Sequence, residues 1–169
     1  MTRTRRPVYT TEERLRRDET VWTTVQAILA PVQFAVFLVS LVLVIAALTT
    51  GSWAEAAAVS IVAKTAILYA IMVTGAIWER AVFGQFLFAP SFFWEDVVSF
   101  GVIALHTAYL VMLALGLGTA QTQLWVALAA YAAYAVNAAQ FLGKMALARR
   151  EAGAAAPPSG QAAAAGAAA

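Results

Sequence analysis

Glu79, Glu95 and Asp96 are the residues of this sequence best suited to proton chemistry, and His106 is its only histidine. All four fall in one stretch, Trp78 to Leu110, whose surroundings are soluble in hydrocarbon. A carboxylate beside an apolar span is costly unless it is paired, hydrated or used. A carboxyl in such a place can hold a proton and pass it to an apolar ligand. Glu95 and His106 are eleven residues apart, almost three helical turns, so both project from one face with Ser99 and Tyr109 near the same stripe. Their separation along the axis is about 16 Å, too long for a hydrogen bond but wide enough for a flat molecule between them. Glu95 is the first choice of acid, with Asp96 and Glu79 behind it and His106 as base or orienting partner.

Each group also has a plainer reading. Glu79 and Arg80 suit an interfacial ion pair, and Glu95 with Asp96 suits the positive end of a helix dipole. His106 suits a buried histidine bonded to a neighbouring helix. Lys64 suits a lysine that snorkels or pairs. The motifs of metalloproteases, phosphate loops, dinucleotide sites and serine hydrolases are absent. Without cysteine, neither a disulfide nor a thiolate metal site can form, and one histidine rules out a multi-histidine site within one chain.

The elements that must position these groups are apolar. The chain is 62% hydrophobic and 12% charged, with a mean hydropathy of +0.76. That balance fits an all-α polytopic membrane protein, a bundle of four transmembrane helices, better than a soluble domain. A polar segment covers residues 1–21, the membrane domain 22–148, and an Ala/Gly/Pro-rich tail 149–169 reads as disordered. Thr10 or Thr11 with Glu13 forms the pattern of a capping box that starts a short helix.

The spans are expected near Ala27–Leu48, Ala56–Trp78, Glu95–Leu115 and Gln123–Met145. In the first, Gln26, Gln33 and Ser40 recur every seven residues and should turn inward, and Pro31 lies near the start, where a proline does least harm. Lys64 falls about 12 Å into the second span, deep enough to need a partner. Val82 to Phe93 is aromatic and broken by Gly84 and Pro90, as befits an interfacial loop or an aromatic belt. In the fourth span Tyr131, Tyr134, Asn137, Gln140 and Lys144 form a polar stripe on one helix face.

Loop charges give the orientation. Six arginines precede the first span. Arg80 lies in the second connection, and Lys144, Arg149 and Arg150 follow or end the fourth span. Both termini are therefore expected in the cytoplasm, with Glu79, Glu95 and Asp96 at that face. The basic residues sit before a span and give no sign of nucleic-acid binding.

The strings W-E-R-A-V-F-G-Q-F-L-F-A-P-S-F-F-W-E-D-V-V-S and L-H-T-A-Y-L resemble the vinyl bacteriochlorophyllide hydratases. So do V-Y-T-T-E-E-R-L-R-R-D-E-T-V-W, I-L-A-P-V-Q-F, K-T-A-I-L-Y-A-I-M-V-T-G and A-A-Y-A-A-Y-A-V-N-A-A-Q-F. The resemblance covers residues 7–148. It implies a hydro-lyase of bacteriochlorophyll synthesis that adds water to the 3-vinyl group of chlorophyllide a, or of a 3-vinyl bacteriochlorophyllide, giving the 3-(1-hydroxyethyl) product.

Such a reaction needs a proton on the terminal vinyl carbon, a cation conjugated with the macrocycle, and a base that helps water attack the inner carbon. It needs no cofactor. The implied partners are chlorophyllide a or a related magnesium chlorin, water and the lipid bilayer of a bacterial inner membrane. Self-association and contact with other pigment-synthesis enzymes stay open. The substrate's propionate suits Arg80 or Lys144, with Lys64, Tyr109, Asn137 and Gln140 as further binding groups. A different class, a non-enzymatic pigment-binding or assembly subunit, would use His106 to ligate magnesium. A small transporter fits less well, because no inverted repeat is visible.

Overall fold

The computed structural model describes residues 6–155, and these form five helices. They are α1 (Thr11–Glu19), α2 (Val21–Thr50), α3 (Ala54–Phe83), α4 (Phe93–Leu115) and α5 (Ala120–Ala155). The last four are long and apolar enough to cross a membrane. The expected all-helical, four-span architecture is therefore present, with α1 added in front.

α1 begins as its sequence dictates. The Thr10 hydroxyl accepts from the Glu13 amide at 3.2 Å, and the Glu13 carboxylate accepts from the Thr10 amide at 2.7 Å. This reciprocal cap satisfies two donors that the first turn leaves free. Arg6 also donates to Glu13 at 3.0 Å. The segment before α1 is not merely solvated: Val8 and Tyr9 are buried with Val82, Phe92 and Ala148 at one end of the bundle. Tyr9 stacks on Phe83 with ring centroids 5.7 Å apart. Burial pushes the Tyr9 hydroxyl up to about 12, so it stays neutral at physiological pH.

α2 starts at Val21, earlier than hydropathy suggests, so Pro31 lies inside the helix rather than at its start. There its ring removes one backbone hydrogen bond. α2, α3 and α4 end on Gly51, Gly84 and Gly116, all left-handed, a geometry that glycine adopts without steric cost. α5 continues to Ala155, past Arg149, where the composition suggests that a tail begins, and the Glu151 carboxylate accepts from the Val8 amide at 2.8 Å. Residues 156–169 lie outside the described residues.

α2 packs along α3, and α4 along α5, forming two antiparallel hairpins that meet mainly through α2 and α5. Phe37, Val44, Ile61, Leu68, Val102, Leu124, Tyr131 and Tyr134 fill the space between them. Polar bonds tie α2 to α3: Gln26 donates to Thr74 at 2.7 Å and Trp78 to Thr23 at 2.9 Å. Gln33 and Ser40 are buried, as their spacing with Gln26 predicts. Valines such as Val39, Val42 and Val59 point outward. Polar groups inside and branched aliphatics outside are what a hydrocarbon solvent selects.

Candidate active site

The α3–α4 connection places the carboxyls. α3 ends at Phe83, and the chain crosses to α4 through Gly84 to Phe92, so Glu79 and Asp96 face each other across the bend. Both are buried, and their carboxyl groups lie together beneath two consecutive amides of the loop. The connecting loop closes over them with its backbone. The Phe88 amide donates to Asp96 Oδ2 at 2.6 Å and the Ala89 amide to Glu79 Oε2 at 3.2 Å. A proton on either carboxyl would let it donate to the other. Phe88 holds its amide there from a left-handed conformation, φ 59°, which is strained for a residue with a bulky side chain.

Glu95 turns the other way, toward α5. Its Oε1 pairs with Lys144 Nζ at 3.1 Å, and Lys144 also donates to the Ser91 carbonyl at 2.6 Å. Its Oε2 is buried without a protein partner. Asn137 fixes the same turn of α4, donating to the Glu95 carbonyl at 3.0 Å and to Ser99 Oγ at 3.0 Å. Lys144 and Asn137 of the α5 stripe therefore serve α4. Gln140 is half-buried, with its Oε1 unbonded.

His106 is not near the carboxyls. Its Nδ1 bonds the Val102 carbonyl at 2.8 Å and its Nε2 faces Lys64 Nζ at 2.6 Å. A carbonyl can only accept, so Nδ1 carries the proton and Nε2 accepts from Lys64. Both side chains are fully enclosed, with Lys64 Nζ 4.0 Å from the centroid of the Tyr134 ring. Tyr131 stacks on His106 and bonds Ser40 at 2.5 Å. Tyr109 is buried in this same core. With both nitrogens engaged, His106 has no lone pair to offer a magnesium ion. The face of α4 between Glu95 and His106 carries buried Ser99 and Val102. That interval is filled by protein and cannot take a macrocycle between the two residues.

Arg80 is exposed and pairs with neither carboxylate. It donates to the Gly84 carbonyl, and its guanidinium lies 5.8 Å from the Phe86 ring. Two cavities, at opposite ends of the bundle, hold about 180 and 210 Å³. Both fall short of the several hundred Å³ typical of a site that encloses a drug-sized ligand. Among the described residues no cluster of His, Asp and Glu is arranged to hold a metal ion.

Sequence reasoning finds the carboxyls but not their partners. Glu79 and Asp96 sit on different helices, so no spacing rule couples them, and the loop amides leave no mark in side-chain chemistry. The string E-D at the start of α4 is the surviving signal: two adjacent residues on a helix differ by about 100° and must face different neighbours.

No solved structure matches the chain. The family model of 2-vinyl bacteriochlorophyllide hydratase matches residues 9–147. A 2-vinyl bacteriochlorophyllide hydratase from Rhodobacter capsulatus is 64% identical over 148 residues, which cover 88% of this chain and 86% of the relative. One from Cereibacter sphaeroides is 62% identical over 144 residues, 85% of this chain and 89% of the relative. The matched region takes in Glu79, Glu95, Asp96, His106 and the loop that closes over the carboxyls. The chain belongs to the 2-vinyl bacteriochlorophyllide hydratase family.

Proposed function

We propose that the protein is a hydro-lyase that adds water to the 3-vinyl group of a chlorophyllide-type substrate in bacteriochlorophyll synthesis, and that Glu79 and Asp96 move the proton. Family membership supports the reaction. The observation that carries the residue assignment is the juxtaposition of two buried carboxyls beneath the consecutive Phe88 and Ala89 amides.

The pair can run the whole reaction. The protonated carboxyl gives its proton to the terminal vinyl carbon as the carbon–carbon double bond opens. The positive charge appears on the inner carbon and spreads into the macrocycle. Water attacks that carbon, a carbon–oxygen bond forms, and the water's surplus proton goes to a carboxylate of the pair. One proton leaves the pair and one returns, so each turnover restores the starting state without electron transfer. Two carboxyls that divide acid and base roles in this way are an established solution in proton-transfer enzymes.

Glu95 supports this arrangement from the side. Bound to Lys144, it acts as a fixed anion that holds α4 to α5 and the Ser91 carbonyl near Lys144. Arg80 is the better choice for the substrate's propionate, because its guanidinium remains exposed while Lys144 is already bound. A guanidinium can grip a carboxylate through two parallel hydrogen bonds. The bundle lies in a bacterial inner membrane with both termini in the cytoplasm, a reading supported by the arginines of the first segment and by Arg149 and Arg150.

Incubation of the purified protein with chlorophyllide a in ¹⁸O-labelled water tests the reaction. The expected product gains one water, carries the label in a hydroxyl group and loses the absorption due to vinyl conjugation. Bound but unchanged pigment would instead favour a pigment-carrying role.

A further inference from the structure

The carboxyl pair is buried, and among the described residues the cavities at the two ends of the bundle are too small for a macrocycle, which leaves the outer face of the helices to hold a substrate. The outer face of the loop and α4 carries a connected set of exposed aromatic rings. Phe88 and Phe100 stack with centroids 5.5 Å apart and planes 11° from parallel. Phe93 meets Phe88 at 5.6 Å. Phe88 is 39% exposed and Phe100 44%. Next to them, Gly101 is exposed, and a Cβ there would meet nothing within 4 Å. Ala104, one turn on, is exposed as well.

We infer that the Phe88–Phe100 stack, with the bare surface at Gly101, is the seat of the chlorin macrocycle, which enters sideways from the bilayer. This inference rests on the hydratase reading above. Three observations choose this occupant over lipid or a second copy of the chain. The backbone amide of Phe88 is bonded to Asp96, so one residue offers a ring to the ligand and touches the acid. Arg80 supplies a cation beside Phe86 in the same loop, complementary to an apolar disc with a carboxylate at its rim. Gly101 lets a flat body lie close to the helix backbone, where any side chain would hold it away.

The geometry also gives Phe88 a second task. Its left-handed backbone is tied to Asp96 by one hydrogen bond, so the place of its ring is set from the acid itself. Phe88 and Phe100 are thus positioning residues: they set where the vinyl group lies and donate no proton.

The test measures chlorophyllide a binding, by the shift of its main absorption band, together with KM, kcat and thermal midpoint in detergent. Phe100→Ala should weaken binding and raise KM about tenfold, with kcat within about twofold, since the loss of one stacked ring is worth roughly that factor. Phe100→Tyr keeps the ring and should restore binding. Gly101→Leu adds bulk into open space, so it should leave the thermal midpoint unchanged and still block the pigment. Val42→Phe, on the outer face of α2, is the control and should bind normally. Normal binding by both Phe100→Ala and Gly101→Leu in a protein that still hydrates chlorophyllide overturns the seat and leaves the hydratase reading intact. A change in thermal midpoint without a change in binding also overturns it. A wild-type protein that neither binds nor hydrates the pigment removes both.

Discussion

Asp96 and Glu79 lie together across the bend between two helices, held by consecutive loop amides, while Glu95, the residue next to Asp96 in the chain, is bound to a lysine on a third helix. Adjacent carboxyls on one helix thus have opposite surroundings: one faces a second carboxyl and the Phe88 amide, the other the amino group of Lys144. Acid–base chemistry calls for a carboxyl that can carry a proton, and an ion pair calls for one that does not. The division follows from helix geometry, since neighbouring residues diverge by about 100°.

Arg80→Ala should raise KM more than it lowers kcat. The guanidinium is exposed and lies outside the hydrogen bonds that hold the carboxyl pair, so its loss removes binding common to ground and transition states. Steady-state kinetics with chlorophyllide a decide this. An unchanged KM would place the propionate elsewhere.

Lys64 and His106 should behave as a coupled pair. His106→Leu leaves the buried Lys64 amine without its acceptor and should cost about 1–3 kcal/mol, the range for an unsatisfied buried polar group. Lys64→Met leaves only a neutral ring nitrogen unbonded and should cost about 1–3 kcal/mol. The double variant Lys64→Met/His106→Leu should be more stable than His106→Leu alone. Reversible unfolding in detergent measures all three, and strictly additive costs would show that the pair is not coupled.

Phe88 should respond to glycine and alanine differently. Both substitutions remove the ring, but alanine keeps the steric penalty of a left-handed backbone, whereas glycine relieves it. Phe88→Gly should therefore be more stable than Phe88→Ala by about 1 kcal/mol. Equal stabilities would mean that the backbone relaxes without the strain seen here.

Reporter fusions at Ser52, between α2 and α3, and at Thr119, between α4 and α5, should report the periplasm. A cytoplasmic signal at either position would overturn the orientation and move the carboxyl pair to the other face.

Much of this architecture was legible in the sequence, because hydrocarbon solvent imposes simple rules. Long apolar runs marked the four spans, and Thr10 with Glu13 marked the start of α1. The stripe from Tyr131 to Lys144 was legible as a stripe, since period 3.6 is a local property. Its partners were not: nothing local says that Lys144 meets Glu95, that Asn137 bonds the Glu95 carbonyl, or that Lys64 meets His106. Shared helix face placed Glu95 with His106, and packing then filled the space between them with Ser99 and Val102. The aromatic loop was legible as interfacial, but the left-handed turn at Phe88 was not, because sequence preference at such positions favours glycine or asparagine.

The most direct test of the account compares hydration rates of three amide variants, each made in a protein shown to bind chlorophyllide a. Asp96→Asn and Glu79→Gln keep the shape and the hydrogen bonds from the Phe88 and Ala89 amides but break the proton exchange within the pair. Each should lose about 10²-fold or more in kcat, the usual scale for removing a general acid or base. Glu95→Gln weakens an ion pair and should keep kcat within about tenfold of wild type. Near-wild-type turnover in Asp96→Asn and Glu79→Gln, with Glu95→Gln dead, would contradict the account and return the proton to Glu95.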